Sequence, residues 1–249
     1  LPRALKGVIL PSDLEQRLCS LASSIRASCA RRAPLPNVLL HGAPGSGKSL
    51  VARQLAKACG LNIAIVAGGD VGPLGATASS ELSGILRWIT RAGQRGKRGA
   101  GVALIMEEAE AALGDRGKVS MSENARSALT AILLHTGEAQ PGFMMILTSS
   151  RPQDIDEAVL DRVDEVIRMP TPGLAERKEL ARQYFARYLN HDVPAAGAIT
   201  IRDGHTSGLV RLSENFRSEA SSLVETLAVK SEGFHGRDMA RFFSAVQVS

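Results

Sequence analysis

The sequence has few cysteines and aromatic residues, and it lacks a long apolar run. Its three cysteines, Cys19, Cys29 and Cys59, are an odd number without a CxxC pair, which argues against a disulfide framework or a zinc site and favours a reducing compartment. No apolar run approaches the roughly 18 residues of a membrane-spanning helix, and the N-terminus does not resemble a signal peptide. We therefore expect a soluble domain.

Length and charge constrain the protein only weakly. The 249 residues can form one large domain or two small ones. Because the sequence begins at Leu1 rather than methionine, we expect a longer protein in which a targeting or membrane segment could lie upstream. The net charge of +5 is spread along the chain, and the one tight basic cluster, residues 94–98, is more typical of a solvated loop. Nucleic-acid contact is therefore possible but unsupported.

Residues 42–49 match the phosphate-binding pattern G-x-x-x-x-G-K-[ST] at every fixed position. Glycines in such a loop allow successive backbone N–H groups to surround phosphate oxygens, while Lys48 reaches the β and γ phosphates and Ser49 coordinates Mg²⁺. A short apolar run precedes the loop and a helical pattern follows it, which makes a chance glycine-rich turn improbable. The residues predicted to bind nucleotide here are Gly42, Pro44, Gly45, Ser46, Gly47, Lys48, Ser49 and Leu50.

Further apolar runs alternate with helical patterns, which predicts an α/β fold with a parallel doubly wound sheet. Two carboxylates, Glu107 and Glu108, end the run at residues 101–106, and Ser150 follows the run at 143–148. Because ligands bind at the carboxyl ends of parallel strands, Glu107 is predicted to hold Mg²⁺ through its water shell, and Glu108 to activate water as general base. The alternative is that both are acids favoured at a helix N-terminus.

Three further predictions concern structure. Residues 12–31 are expected to form a helix, opened by a capping box of Ser12 and Glu15. Trp88, the single tryptophan, is expected to lie in the core on a helix that includes residues 81–89. Residues 195–208 have the least periodic pattern and are expected to form a loop or an insertion.

The order and spacing of the P-loop, the acidic strand end, the polar strand end and Asp161–Asp164 resemble those of AAA ATPases. Within that group the sequence is similar to the ATPase family AAA domain-containing protein 3 family. The similar segments, which extend over nearly the whole chain, are residues 5–10, 64–71, 161–165 and 233–238.

This resemblance implies a P-loop NTPase fold in which residues 1–170 form a large α/β subdomain with a five-stranded sheet. Residues 171–249 would form a small helical lid, with 170–173 as the hinge. It implies ATP and Mg²⁺ as ligands and an ATP-dependent homo-oligomer, expected to be a hexamer. It also implies a mitochondrial inner-membrane protein with this domain in the matrix, anchored through segments absent from this chain.

The resemblance also assigns roles to residues outside the P-loop. Arg162 would be the arginine finger that reaches the neighbouring subunit's γ-phosphate, and Arg237 the lid arginine that senses the same phosphate in cis. The alternatives are a surface ion pair with Asp161 or Asp164 for Arg162, and a solvent-facing arginine at a helix start for Arg237. Gly7 and Val8, together with Gly236, would contact the nucleotide.

Departures from the wider family predict slow hydrolysis. Glu107 replaces the usual aspartate, which moves the carboxylate by about 1 Å, and Ser150 replaces the usual asparagine. The expected pore loop, residues 72–75, contains no aromatic side chain, and residues 114–118 are a candidate for a second, basic loop. We therefore expect a membrane-remodelling or organising ATPase rather than a processive unfoldase. The alternatives are a nucleotide-gated scaffold or assembly switch with little hydrolysis, and a P-loop kinase or nucleic-acid motor.

Overall fold

The computed structural model describes residues 5, 7–71, 73, 77–95, 101–114, 126, 129–133, 141–188, 198–203, 206–211, 222 and 224–248. Residues 129–133 and 224–230 are helical. Five longer helices are α1 (Ser12–Arg31), α2 (Lys48–Cys59), α3 (Ala78–Arg95), α5 (Leu174–Tyr188) and α6 (Gly236–Val248). Between α3 and α5 lies a short helix of four residues, α4 (Glu157–Leu160). The strands are β1 (Val38–His41), β2 (Asn62–Ala67), β3 (Val102–Glu107), β4 (Phe143–Ser149), β5 (Glu165–Arg168), β6 (Ala198–Asp203) and β7 (Thr206–Arg211).

Five strands form one parallel sheet in the order β2-β3-β4-β1-β5, which confirms the predicted α/β fold. All seven residues of β4 are buried, as expected for a central strand whose two faces are both covered. Phe143, Met145 and Leu147 pack in one core cluster with residues of α3. Met144 and Ile146 are equally buried but point to the opposite face, because successive side chains of a strand alternate.

The chain divides into two compact units. One contains Leu1–Val8 and Ser12–Pro170, and the other contains Ile9–Pro11 and Thr171–Ser249. The second unit has its own small core of buried residues, in which the Phe243 ring packs edge-on against Phe185. Its hairpin pairs β6 and β7 antiparallel, with Ala198 opposite Arg211.

The predicted core position of Trp88 is wrong, because its side chain is 68% exposed. Helix α3 buries Leu82, Leu86 and Ile89 instead. Trp88 precedes Ile89 by one residue, so the 3.6-residue period of the helix turns it about 100° away from that buried stripe. Ile85 and Trp88 form a second apolar stripe on α3, and this second stripe is the one that stays exposed.

The prediction of a loop at residues 195–208 is also wrong for the residues described there. Ala198–Asp203 and the start of Thr206–Arg211 are strands of a hairpin. Part of the signal was present in the sequence, because apolar and polar residues alternate from Ile199 to Arg202, and glycine, a common turn residue, follows Asp203. Helix α1 has the expected bounds, but it already includes Ser12 as a helical residue.

Candidate functional site

Three adjacent strands end side by side at the carboxyl edge of the sheet. His41, the last residue of β1, is level with Ser149, the last residue of β4, and Glu107 ends β3 on the other side of β4. The chain leaves β1 at Gly42, whose N–H donates to the Ser149 carbonyl at 3.2 Å. The P-loop therefore starts at the same edge as the acidic and polar strand ends, as the sequence predicted.

The P-loop leads directly into helix α2. Gly47 is the N-cap with a left-handed φ of 87°, a conformation that favours glycine, and because glycine has no side chain, none caps the helix. The first turn of α2 contains no acidic residue, so the positive end of the helix faces the loop without a neutralising carboxylate. The Ser46 hydroxyl is buried without a hydrogen-bond partner among the described residues. These features fit a polyphosphate, which accepts backbone and hydroxyl donors at a helix start.

Lys48 connects the P-loop to the end of β4. Its ammonium donates to the carbonyls of Gly42 at 2.8 Å and Ala43 at 2.9 Å, and to the Ser150 hydroxyl at 3.1 Å. Lys48 and Ser150, which are 102 positions apart in sequence, therefore meet in one site. Ser49 and Leu50 follow in the first turn of α2, and Leu50 is 44% exposed.

Glu107 at the end of β3 is ion-paired with Arg53 of α2. The Arg53 guanidinium lies 2.7 Å from Oε1 of Glu107, and the Glu107 side chain is 24% exposed. A carboxylate at this edge has the oxygen chemistry that Mg²⁺ prefers, and Ser49 supplies a hydroxyl on the same helix as Arg53. The two predicted metal ligands thus fit a magnesium ion, with Arg53 competing for one carboxylate oxygen.

Glu108 has a backbone conformation that is unusual for a residue with a side chain. Its φ of 52° and ψ of 50° lie in the left-handed region, and its side chain is exposed. Gly68, just after β2, makes this turn possible, because a Cβ there would collide with the Glu108 carbonyl oxygen. Strained backbone of this kind clusters at functional sites. Glu108 is exposed and therefore accessible to water.

Glu110 was not identified from the sequence, although it belongs to the same acidic segment. Its Oε1 accepts the backbone N–H of Ser150 at 3.1 Å, and its Oε2 is buried without a hydrogen-bond partner among the described residues. Its position two residues after Glu108, following a strand end, was the available signal. Nothing in the spacing indicated a contact with Ser150, which is 40 residues further along the chain.

Arg162 is turned towards its own chain. One of its guanidinium nitrogens donates to the Ala158 carbonyl of α4, and its Nε is buried without a partner in the described part of the chain. The ion pairs between described residues do not include one with Asp161 or Asp164. The carboxylate of Asp164 instead accepts the backbone N–H of Asn37 at 2.7 Å.

The other predicted site residues lie near the N-terminus and in the second unit. Gly7 has a φ of 76°, and the N–H of Val8 donates to the Leu5 carbonyl at 3.4 Å. In the second unit, Gly236 begins α6 and Arg237 is exposed in its first turn. Their predicted roles stay predictions.

Positive charge surrounds the start of the P-loop. Burial, together with the charges of Arg168 and Lys48, lowers the pKa of His41 below its ordinary value of 6.5. His41 is therefore neutral at physiological pH, so the positive charge at this edge comes from Lys48 and Arg168.

Several sequence predictions fall wholly or mainly outside the described residues. These are the pore loop, of which Pro73 alone is described, the second loop beyond Gly114, and the basic residues 96–98. In the described part of the chain, no helix has the length and apolarity needed to cross a membrane. Those same residues contain no cluster of three or more His, Cys, Asp or Glu side chains suited to a metal ion.

Comparison with known proteins identifies the class to which this site belongs. Residues 38–171, from β1 to just beyond β5, match the family described as ATPase family associated with various cellular activities (AAA). The chain belongs to the AAA family.

Within this family, the chain is similar to proteins named ATPase family AAA domain-containing protein 3. It is 38% identical over 195 residues to the 3A homolog of Drosophila melanogaster, covering 78% of this chain and 31% of that protein. It is 34% identical over 246 residues to protein 3-B of Xenopus laevis, covering 99% of this chain and 38% of that protein. It is also 34% identical over 245 residues to protein 3 of Caenorhabditis elegans, covering 98% of this chain and 38% of that protein. The chain thus spans about a third of these relatives' length.

Proposed function

We propose that this chain binds and hydrolyses ATP as the AAA domain of an oligomeric protein. The observation that carries the proposal is the contact between Lys48 and Ser150 at 3.1 Å, at the start of a helix whose first turn lacks acidic residues. It brings the P-loop lysine to the polar strand end predicted to face the γ-phosphate. The neighbouring β3 ends in Glu107, with Glu108 directly after it.

Binding is assigned to the P-loop. Backbone N–H groups at the start of α2 and the Ser46 hydroxyl donate to phosphate oxygens, and Lys48 moves from the Gly42 and Ala43 carbonyls to the β and γ phosphates. Bound Mg²⁺ would offset phosphate charge, with Ser49 and Glu107 as its protein ligands. Gly7 and Val8 are proposed to contact the base.

Hydrolysis is assigned to Glu108 and Ser150. The exposed Glu108 carboxylate orients a water molecule and accepts its proton, while Ser150 donates its hydroxyl to the γ-phosphate. Ser150 has shorter reach than an asparagine, and Glu107 is longer than an aspartate. Because displacements of about 1 Å can lower rates by two orders of magnitude, we propose that turnover is slow.

Arg162 supports an oligomeric reaction. Its buried Nε, which has no partner among the described residues, and its bond to the Ala158 carbonyl give it a resting position from which it could be released towards a neighbouring subunit's nucleotide. The exposed Arg237 at the start of α6 would act from the lid formed by residues 171–249. We propose a hexamer by analogy with the family.

The relatives suggest the cellular setting. They carry the name ATPase family AAA domain-containing protein 3 and are about two and a half times as long as this chain. We propose that this domain serves a mitochondrial inner-membrane remodelling or organising protein, in which it lies in the matrix. Membrane attachment would come from segments outside this sequence.

ATP turnover by the chain fused to a hexamerising coiled coil tests the proposal. Wild type should hydrolyse ATP, whereas Glu108→Gln and Arg162→Ala should bind ATP and lose turnover. Mixing the two variants should restore some activity, because a subunit with intact Glu108 can meet a neighbour with intact Arg162. ATP binding with wild-type turnover no faster than that of Glu108→Gln would instead identify a nucleotide-dependent assembly switch.

A further inference from the structure

In the turn after β4, the side chain of Glu110, which the sequence did not identify, holds the backbone of the predicted site residue Ser150. Ser149 is the last residue of β4 and is level with His41, the last residue of β1. The next backbone N–H, that of Ser150, thus lies beyond the paired strands and needs a different acceptor. Glu110 supplies it, with Oε1 3.1 Å from the Ser150 nitrogen.

A second side chain fixes the same turn. The N–H of Arg151 donates at 3.0 Å to the hydroxyl of Ser149, which is completely buried. Two successive backbone donors are therefore held by side chains, one on each side of the Ser150 Cα. With both donors engaged, the Ser150 hydroxyl is directed to Lys48 at 3.1 Å.

It is unusual for a partly buried carboxylate such as that of Glu110 to accept a single hydrogen bond from a neutral N–H group. Its second carboxylate oxygen is buried and has no hydrogen-bond partner among the described residues, an arrangement that normally costs stability. A carboxylate does, however, form a shorter and stronger bond to an N–H than a neutral carbonyl does. The unpartnered oxygen of Glu110 thus lowers the stability of the fold, while the other oxygen holds the Ser150 backbone tightly.

We propose that Glu110 is a positioning residue of this site. By holding the Ser150 backbone, it keeps the hydroxyl in line with Lys48 and with the phosphate that Lys48 would bind. This inference rests on the proposed ATP hydrolysis. Glu110 does not contact the reacting atoms; it acts through Ser150 alone.

A double-mutant cycle tests this route. The variants are Glu110→Leu, which has a similar size but no acceptor, Glu110→Gln, which keeps one, and Ser150→Ala, which keeps the N–H but lacks the hydroxyl. We expect Glu110→Leu to lower kcat by about tenfold or more with KM changed by less than about threefold, and Glu110→Gln to lose less than about threefold. In the Ser150→Ala background, Glu110→Leu should cost less than about twofold more.

Amide hydrogen exchange without nucleotide gives a readout that does not depend on turnover. Glu110→Leu should accelerate exchange at Ser150 by about tenfold, while Arg151, held by Ser149, should change by less than about twofold. Unchanged exchange at Ser150, unchanged kcat, or an equal kcat loss in the Ser150→Ala background would each overturn the inference. Wild type without turnover would overturn the proposed function and this inference together, whereas an active wild type with an unaffected Glu110→Leu overturns the inference alone.

Discussion

The guanidinium of Arg53 lies 2.7 Å from Oε1 of Glu107, which ties the P-loop helix to the end of β3. Both side chains are partly exposed, at 46% and 24%, so water screens the pair and its strength is modest. The contact also places a fixed positive charge against the carboxylate proposed to hold Mg²⁺. Cation binding at Glu107 therefore has to share or displace this partner.

Replacing Arg53 with glutamine should make the site more responsive to magnesium. Because an exposed ion pair contributes about 0.2–1 kcal/mol, we expect the Mg²⁺ concentration for half-maximal ATP turnover to fall by up to about fivefold. Arg17→Gln is the matched control, since Arg17 makes a similar exposed pair with Glu165 at 2.8 Å. An unchanged magnesium requirement in Arg53→Gln would show that Arg53 does not compete with the ion for Glu107.

Gly68 and Gly69 offer a test of the Glu108 turn. A Cβ at Gly68 would collide with the Glu108 carbonyl oxygen, whereas a Cβ at Gly69 would have no atom of the described residues within 4 Å. We expect Gly68→Ala to displace Glu108 and lower kcat by about tenfold or more, with about 1–3 kcal/mol of lost stability from overpacking. Gly69→Ala should change unfolding free energy by less than about 0.5 kcal/mol. Equal kcat values for the two variants would argue against a catalytic role for this turn.

The exposure of Trp88 predicts that its removal is tolerated. Trp88→Ser should change the free energy of unfolding by about 0.5 kcal/mol or less, because the side chain is 68% exposed. Leu86→Ala, two residues earlier on the same helix, should cost about 2–5 kcal/mol, since Leu86 is 1% exposed. Urea unfolding followed by circular dichroism measures both, and the reverse order would mean that Trp88 is covered.

The lowered pKa of His41 predicts how the free energy of unfolding depends on pH. Burial and the nearby Arg168 and Lys48 hold the pKa of His41 below 6.5, so the unfolded chain binds a proton that the folded chain does not. The free energy of unfolding should therefore decrease as pH falls through about 6.5. In His41→Gln this part of the decrease should be absent, with the two proteins compared by urea unfolding from pH 8 to pH 5. Parallel curves over that range would mean that the histidine titrates normally.

Much of the fold could be predicted because the information is local. The P-loop, the apolar strands and the acidic end of β3 each depend on a few adjacent residues with a definite pattern. Their common position at one sheet edge then follows from the parallel arrangement, and the Lys48–Ser150 contact agrees with it.

The features that sequence reasoning missed depend on contacts between distant segments. Arg53 resembles any solvated helix arginine until β3 is placed beside it, and the partner of Glu110 is 40 residues away. Trp88 fails for another reason, because α3 carries two possible apolar stripes. Periodicity identifies the helix but does not say which stripe meets the sheet.

Single-turnover hydrolysis is the most direct test of the central claim that this site hydrolyses ATP with Glu108 as the base. Radiolabelled ATP and Mg²⁺ would be bound to excess protein fused to the hexamerising coiled coil, and the conversion to ADP followed for wild type and Glu108→Gln. We expect both to bind ATP, wild type to convert it, and the variant to retain it with a rate lower by about two orders of magnitude or more. Equal rates of conversion in the two proteins would contradict the account.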